Sequence, residues 1–411
     1  MPKQDKLVGL DLGTTKVACI IAEPDEVGKP RIIGVGVSPS YGLKRGVVVN
    51  VDKTVDSIRR AVEEAERMAG VKVDSCYAGI AGDHIVSMNC KGVVAVSKPT
   101  EEITQKDVDR VLEQAKAVAL PMDREILHII PIEFIVDDQP GIKDPIGMCG
   151  VRLEAEVHIV TGAVASAQNI YRSIQRAGLR VKDLVLQPLA SSYAVLDQDE
   201  KELGVVLLDI GGGTTDVAIF KDGSIRHSQV IGLGGEHITN DIAIGLRTPY
   251  NRAEEIKKRY GVAMASLIEE DQTFRVPGVG GREERAVSKK MLASVIEPRL
   301  EEILTITHRE IKKTKYSDLL AAGVVITGGT ARLDGIENLA EQIFNLPVKI
   351  GIPKGLSGLT DVVSNPIHAT GVGLVRYALE KRNEELLPQA EGEKLFENLV
   401  DRMKRWFKEF F

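Results

Sequence analysis

The chain has 411 residues, more than one hydrophobic core ordinarily supports, so two globular lobes are expected. Its 43% apolar and 27% charged content is that of a water-soluble globule, and a net charge of -6 gives no long-range attraction for nucleic acid, which is disfavoured as a partner. Scattered cysteines without a CxxC pair, histidines without ligand spacing, a start free of a signal-like apolar core and no run near ~18 apolar residues predict reduced thiols, a cytoplasmic setting, no structural metal and only peripheral membrane contact.

In chain order, Lys6 to Ala22 reads as two apolar strands, LVGLDLG and KVACIIA, pinched around Gly13, Thr14 and Thr15, with a third strand in RIIGVGVS. Helical periodicity follows in VDSIRRAVEEAERMAG, and again in DVDRVLEQAKAVA after the cap-rich TEEITQKD. Strand-like text on both sides of the second helix marks residues 83–160 as an inserted subdomain. Residues 161–198 read as a connecting helix and the return to the first lobe, whose core is 1–82. The second lobe, 199–361, begins with GVVLLDI and DVAIF around Gly211 to Thr215. Within its subdomain 235–320, TPYNRAEEIKKRYG is a helix stopped at Gly261, QTFRVPGVGGREERA a loop or hairpin, and MLASVIEPRLEEILTITHREIKK a long helix holding Pro298. A second connecting helix covers 362–381 and a polar linker 382–393. The end of the chain, 394–411, places Leu395, Phe396, Leu399, Val400, Met403, Trp406, Phe407, Phe410 and Phe411 at helical spacings on one face, with cations opposite. It also carries the only tryptophan and half of the phenylalanines, the composition of an interfacial membrane anchor.

Aligning Asp11 with Asp209 and Gly13 with Gly211 superposes DLG-TTKVA on DIGGGTTDVA if the second copy has two extra glycines. Glycines let a backbone approach phosphate closely and present N–H donors, threonines add hydroxyl donors, and an aspartate at a strand end can hold magnesium through water. One such loop is an ordinary tight turn; two in matched contexts point to a nucleotide. GxxxxGK[ST] is absent and each loop joins two strands, so this is no Walker loop.

These loops resemble those of the actin, Hsp70 and sugar-kinase ATPase superfamily. The resemblance implies an α/β fold of two RNase-H-like, actin-type lobes with an inserted α/β subdomain and a C-terminal amphipathic helix, clasping Mg-ATP. It assigns Asp11, Gly13, Thr14, Thr15 and Lys16 to the first phosphate loop and Asp209, Gly211, Gly212, Gly213, Thr214 and Thr215 to the second, with Asp11 and Asp209 holding magnesium through water. VVITGGTARLDGI is similar to the adenosine motif, placing Gly328, Gly329 and Arg332 at base and ribose, and Glu254, Lys257 and Lys258 match the helix that touches them. Glu and Lys at this spacing are also common as a solvated salt pair. LQPLASSYAVL and SNPIHATGVGLV look like connecting helices whose Ala190, Gly371 and Gly373 permit close crossing.

LQPLASSYAVL, LLDIGGGTTDVAIFKDG, GVGGR, VIEPRLEEIL and LTDVV occur in the order found in the FtsA family of bacterial cell-division proteins, a resemblance covering nearly the whole chain. It implies an adaptor on the cytoplasmic side of the inner membrane that anchors FtsZ filaments, self-associates like actin, contacts lipid through the C-terminal helix and recruits later division proteins. FtsZ's C-terminal peptide is expected on 235–320, near Arg285, Arg299 and Glu302. The rival is a PilM-like pilus assembly protein. Gln187 occupies the water-orienting position where several relatives have Glu; glutamine is no general base at neutral pH, so at most slow ATP hydrolysis is expected.

Overall fold

Unbroken apolar runs suit strands that are buried on both faces, and the start of the chain supplies them in quick succession. In the computed structural model, which describes residues 6–96 and 102–386, β1 (Leu7–Leu12) and β2 (Lys16–Pro24) pair antiparallel, with Leu7 opposite Ala22 and Leu12 opposite Val17. β3 (Pro30–Pro39) completes a meander. The short strands β4 (Leu43–Lys44) and β5 (Val47–Val48) form a hairpin. Helix α1 (Val51–Ala69) begins where the Asn50 side chain accepts the Lys53 amide and ends at Gly70 in the left-handed conformation. β6 (Ser75–Ile80) returns parallel to β1.

The chain then departs into β7 (Val86–Ala95), α2 (Gln105–Lys116), β8 (Arg124–Val136), β9 (Gln139–Ile142) and β10 (Arg152–Ala163). The strands make one sheet in the order β7-β10-β8-β9. Val111 and Leu112 of α2 join Phe134, Leu153 and Val157 in a core of their own. Among the described residues, those within Ser87–Thr161 form one compact unit by packing, and those within Met1–Val86 and Gly162–Ala378 another.

Back in that larger unit come α3 (Val164–Arg176), β11 (Arg180–Leu186), α4 (Gln187–Val195) and α5 (Gln198–Leu203). A second meander follows, β12 (Val205–Ile210), β13 (Thr215–Lys221) and β14 (Ser224–Ile231). The side subdomain holds α6 (Gly235–Gly245), α7 (Tyr250–Tyr260), the hairpin β15 (Thr273–Val276) with β16 (Arg285–Ser288), and α8 (Lys289–Lys312), which continues through Pro298. β17 (Val324–Thr327), α9 (Ile336–Phe344) and β18 (Val348–Ile350) complete this lobe; β19 (Ser357–Gly358), α10 (Thr360–Val363) and α11 (Ala369–Leu386) follow.

The two large sheets run β11-β6-β1-β2-β3-β19 and β14-β13-β12-β17-β18. Each is an antiparallel meander whose first strand is flanked by a parallel neighbour, β6 for β1 and β17 for β12. The duplicated lobes expected from the paired loops are therefore present, with an α/β insertion between β6 and α3.

Two expectations need correction. The loops are equal in length: Gly13 N–H donates to the Lys16 carbonyl at 2.9 Å and Gly211 N–H to the Thr214 carbonyl at 2.9 Å. No glycines are extra, and the counterpart of Thr14–Thr15 is Gly212–Gly213 rather than Thr214–Thr215. The other correction concerns the linker, because α11 runs on through Leu386, into the stretch 382–393. Arg382, Glu384 and Glu385 are good helix formers, and the first breaker is Pro388. The expected helix 394–411 lies outside the described residues.

Candidate functional site

Both loops sit at the ends of first meander strands. β1 delivers Asp11 and β12 delivers Asp209, both buried. Lys16 Nζ is 2.7 Å from Asp11 Oδ2. Asp209 Oδ2 accepts from Ser191 Oγ at 2.7 Å and from Thr370 Oγ1 at 3.2 Å. Those hydroxyls stand on α4 and at the start of α11, so both connecting helices hold one carboxylate. Close packing makes this possible: a Cβ at Gly373 would lie 1.8 Å from the Ala190 carbonyl oxygen.

The loop tips meet face to face. A Cβ built at Gly212 would fall 2.4 Å from Thr15 Cγ2, and one at Gly213 would fall 2.6 Å from Thr14 Oγ1. The second loop is buttressed from behind, since the Gly211 carbonyl accepts from Gly235 N–H at 2.9 Å and Thr330 Oγ1 at 3.2 Å, and the Gly212 carbonyl from Glu236 N–H at 2.8 Å. With its carbonyls engaged at the rear, the loop is a rigid glycine cradle. Gly328 has φ +88, and a Cβ there would lie 2.4 Å from Asp209 Oδ1, so this position admits little besides glycine.

Asp216, on β13, lies opposite Asp209 in the strand register. Its Oδ1 is buried without a hydrogen-bond partner among the described residues. Burial, then the charges of Asp209 and Asp11, push its carboxyl far above the usual range. Asp209 is raised too, by burial foremost and by Asp11, against the hydrogen bonds of Ser191 and Thr370. Buried carboxylates gathered around the single ammonium of Lys16 fit a divalent cation held through water; among the described residues no group of three His, Cys, Asp or Glu is arranged to ligate one directly.

The remaining predicted residues are placed as follows. Gln187 opens α4, buried, its Nε2 donating to the Leu12 carbonyl at 3.4 Å beside the first loop. On α7, Glu254 bridges Lys257 at 2.8 Å and Lys258 at 3.2 Å. Against the upward push of burial, Lys257 and Thr239 hold its carboxyl below the usual range. Lys257 Nζ also donates to the Gly235 carbonyl at 2.9 Å, so this helix is tied to the segment behind the second loop. Gly329 and Arg332 bound a short 3-10 turn from which Arg332 is exposed. In the side subdomain, Arg285 is exposed on β16, while Arg299 pairs with Asp241 at 2.5 Å and with Glu302. Leu395, Phe396, Leu399, Met403, Trp406, Phe407 and Phe410 lie outside the described residues. Asp216 closes the predicted second loop, whereas Ser191 and Thr370 are not among the predicted site residues; the available signal is that Ser191 follows Gln187 by four residues, on the same helical face.

A family model described as "Cell division protein FtsA" matches residues 206–373, and one described as "SHS2 domain inserted in FTSA" matches residues 82–161. The cell division protein FtsA of Pseudomonas aeruginosa is 48% identical over 405 residues, covering 97% of both chains. That of Neisseria meningitidis is 44% identical over 418 residues, covering 100% of both, and that of Escherichia coli 41% over 416 residues, covering 98% of both. Among solved structures, the chain is similar in fold to a PilM-PilN type IV pilus biogenesis complex, with TM-score 0.68, 15% identity and coverage of 92% and 99%. It is likewise similar to MreB5 of Spiroplasma citri bound to ADP, with TM-score 0.58, 16% identity and coverage of 94% and 100%. Identity at this level along the full length leaves one conclusion: the chain belongs to the cell division protein FtsA family.

Proposed function

We propose that this chain is an ATP-loaded, actin-like adaptor that clasps Mg-ATP between its lobes and anchors FtsZ filaments to the cytoplasmic face of the inner membrane. The observation that carries the reading is the pair of loops closed by the same hydrogen bond, with Gly212 and Gly213 of the second facing Thr15 and Thr14 of the first. Their backbone N–H groups and the hydroxyls of Thr14, Thr15 and Thr214 supply donors to phosphate oxygens, and Lys16 supplies charge. Asp11 and Asp209, with Asp216 behind, would hold magnesium, which neutralises phosphate charge when bound. Gly328, Gly329 and Arg332 would meet base and ribose beside Glu254, Lys257 and Lys258. The ADP and AMPPNP held by the MreB5 structures of the same fold support the ligand class.

Gln187 lacks a carboxylate to take a proton, so turnover is slow and nucleotide acts mainly as a conformational and assembly ligand. Subdomain 235–320 takes FtsZ's C-terminal peptide, copies associate head to tail, residues 394–411 meet lipid, and later division proteins join. Among the described residues no helix is long and apolar enough to cross a membrane. Equilibrium binding of ATP to Gly212→Leu tests the core of the reading. The added side chain collides with Thr15, and affinity should fall by roughly 100-fold or more, the scale of losing a few charge-assisted hydrogen bonds; unchanged affinity would refute the site.

A further inference from the structure

The hairpin β4–β5 is not explained by the phosphate loops, yet it touches the first of them at Thr14 and reaches the segment after β14 at Gly232. Its turn residues Arg45 and Gly46 have φ 49 and 77. Left-handed backbone at two successive positions is what a tight hairpin turn needs, and asparagine or glycine usually stands first. Arginine there stores strain of ~1 kcal/mol, an outlier that invites a functional reading. Gly46 N–H donates to Thr14 Oγ1 at 3.2 Å, the hydroxyl that also abuts Gly213. A Cβ at Gly46 would lie 2.6 Å from the Ala81 carbonyl, so the turn is wedged in place. The Arg45 backbone is therefore fixed one residue from where the two loop tips converge.

From that anchor the Arg45 side chain spans to the second lobe. A Cβ at Gly232, just after β14, would lie 3.7 Å from Arg45 Cδ and 3.9 Å from its Nη1. The guanidinium is exposed, and no hydrogen bond or ion pair engages it among the described residues. The neighbouring Lys44 acts on the Glu236 carboxylate, whose own N–H buttresses the Gly212 carbonyl. A planar fork of five donors, carried on a turn tied to Thr14 and lying against Gly232, matches the oxygens of a terminal phosphate.

We propose that Arg45 binds the terminal phosphate of the nucleoside triphosphate and makes the site discriminate tri- from diphosphate. This rests on the nucleotide reading above and adds the residue that reads phosphate number. A diphosphate would offer Arg45 no terminal phosphate to bind, and the guanidinium would stay against Gly232.

The test is competition binding of Mg-AMPPNP and Mg-ADP to the full chain, to Arg45→Asn and to Arg45→Lys. Asparagine tolerates the left-handed turn, so the hairpin persists while the cation is lost. Arg45→Asn should weaken AMPPNP about 10- to 100-fold, as expected for charge-assisted hydrogen bonds, leave ADP within about twofold, and be partly rescued by lysine. An unchanged AMPPNP-to-ADP ratio, or equal weakening of both, overturns the role of Arg45 alone. Failure of the unaltered chain to bind either nucleotide overturns this inference together with the site.

Discussion

Asp216 and His368 are buried titratable groups whose costs should be measurable. Burying an ionisable carboxyl beside others is costly, and Asp216 is buried opposite Asp209 with an oxygen that has no hydrogen-bond partner among the described residues. Asp216→Asn should therefore raise the unfolding midpoint of the nucleotide-free chain while reducing the gain in ATP affinity that magnesium confers; thermal melts and titrations with and without magnesium check both halves. His368 is buried near the first loop, and burial, then the positive charge of Lys16, push its imidazole down to about 4, with Asp11 opposing. Unfolded, the ring takes a proton near 6.5, so below that pH the unfolded chain binds a proton that the folded chain refuses. Stability should thus fall as pH drops from about 6.5 toward 4, by about 2 kcal/mol at pH 5 relative to pH 7. His368→Phe should remove this part of the slope, as read from denaturant midpoints across pH; an unaltered slope would show that the ring is not the group responsible.

The connecting helices α4 and α11 link stability to the site, because each carries one hydroxyl donor to Asp209 and they cross at Gly373. Gly373→Val forces a branched side chain into the Ala190 carbonyl, and overpacking of this kind costs ~1–3 kcal/mol. The variant should melt earlier and also bind ATP more weakly, since parting the helices withdraws Ser191 from Thr370 and both from Asp209. A lower melting point with full ATP affinity would separate the crossing from the site. The elements show what a one-dimensional reading can reach. Strands around Gly13 and Gly211 were legible because apolar runs, a closing Asp and a glycine turn are contiguous. Their mutual register was not: matching TT with TT invented a gap, whereas backbone hydrogen bonding closes both loops over four residues. Nor were the donors to Asp209, which come from 18 and 161 residues away and converge only after the lobes have folded. The end of α11 is not legible either, because polar, charged text suits a solvated helix face as well as a linker.

At the scale of the whole molecule, the proposed adaptor role needs two attachments that fail independently. For the FtsZ peptide, the candidate cations differ in how available they are. Arg299 is engaged by Asp241 and Glu302, and the hydrogen bond to Asp241 foremost raises its pKa, so Arg299→Glu removes an internal tie and sets carboxylates against one another. Arg285 is exposed, with no ion pair among the described residues. Arg285→Glu should therefore weaken peptide binding several-fold, the scale of ~1 kcal/mol for an exposed charge pair, at unchanged melting point, whereas Arg299→Glu should lower both. The second attachment proposed is residues 394–411, whose nine large apolar side chains are expected to outweigh what five cations, offset by three carboxylates, gain from acidic lipid. Flotation with anionic liposomes should then show the full chain carrying FtsZ upward, a chain cut after Glu393 leaving both proteins at the bottom, and Arg285→Glu floating while FtsZ binding is reduced. Raised salt should weaken flotation only in part, because screening acts on charge and not on apolar insertion. Flotation of the shortened chain, or complete release of the full chain by salt alone, would place the membrane attachment somewhere other than this apolar segment.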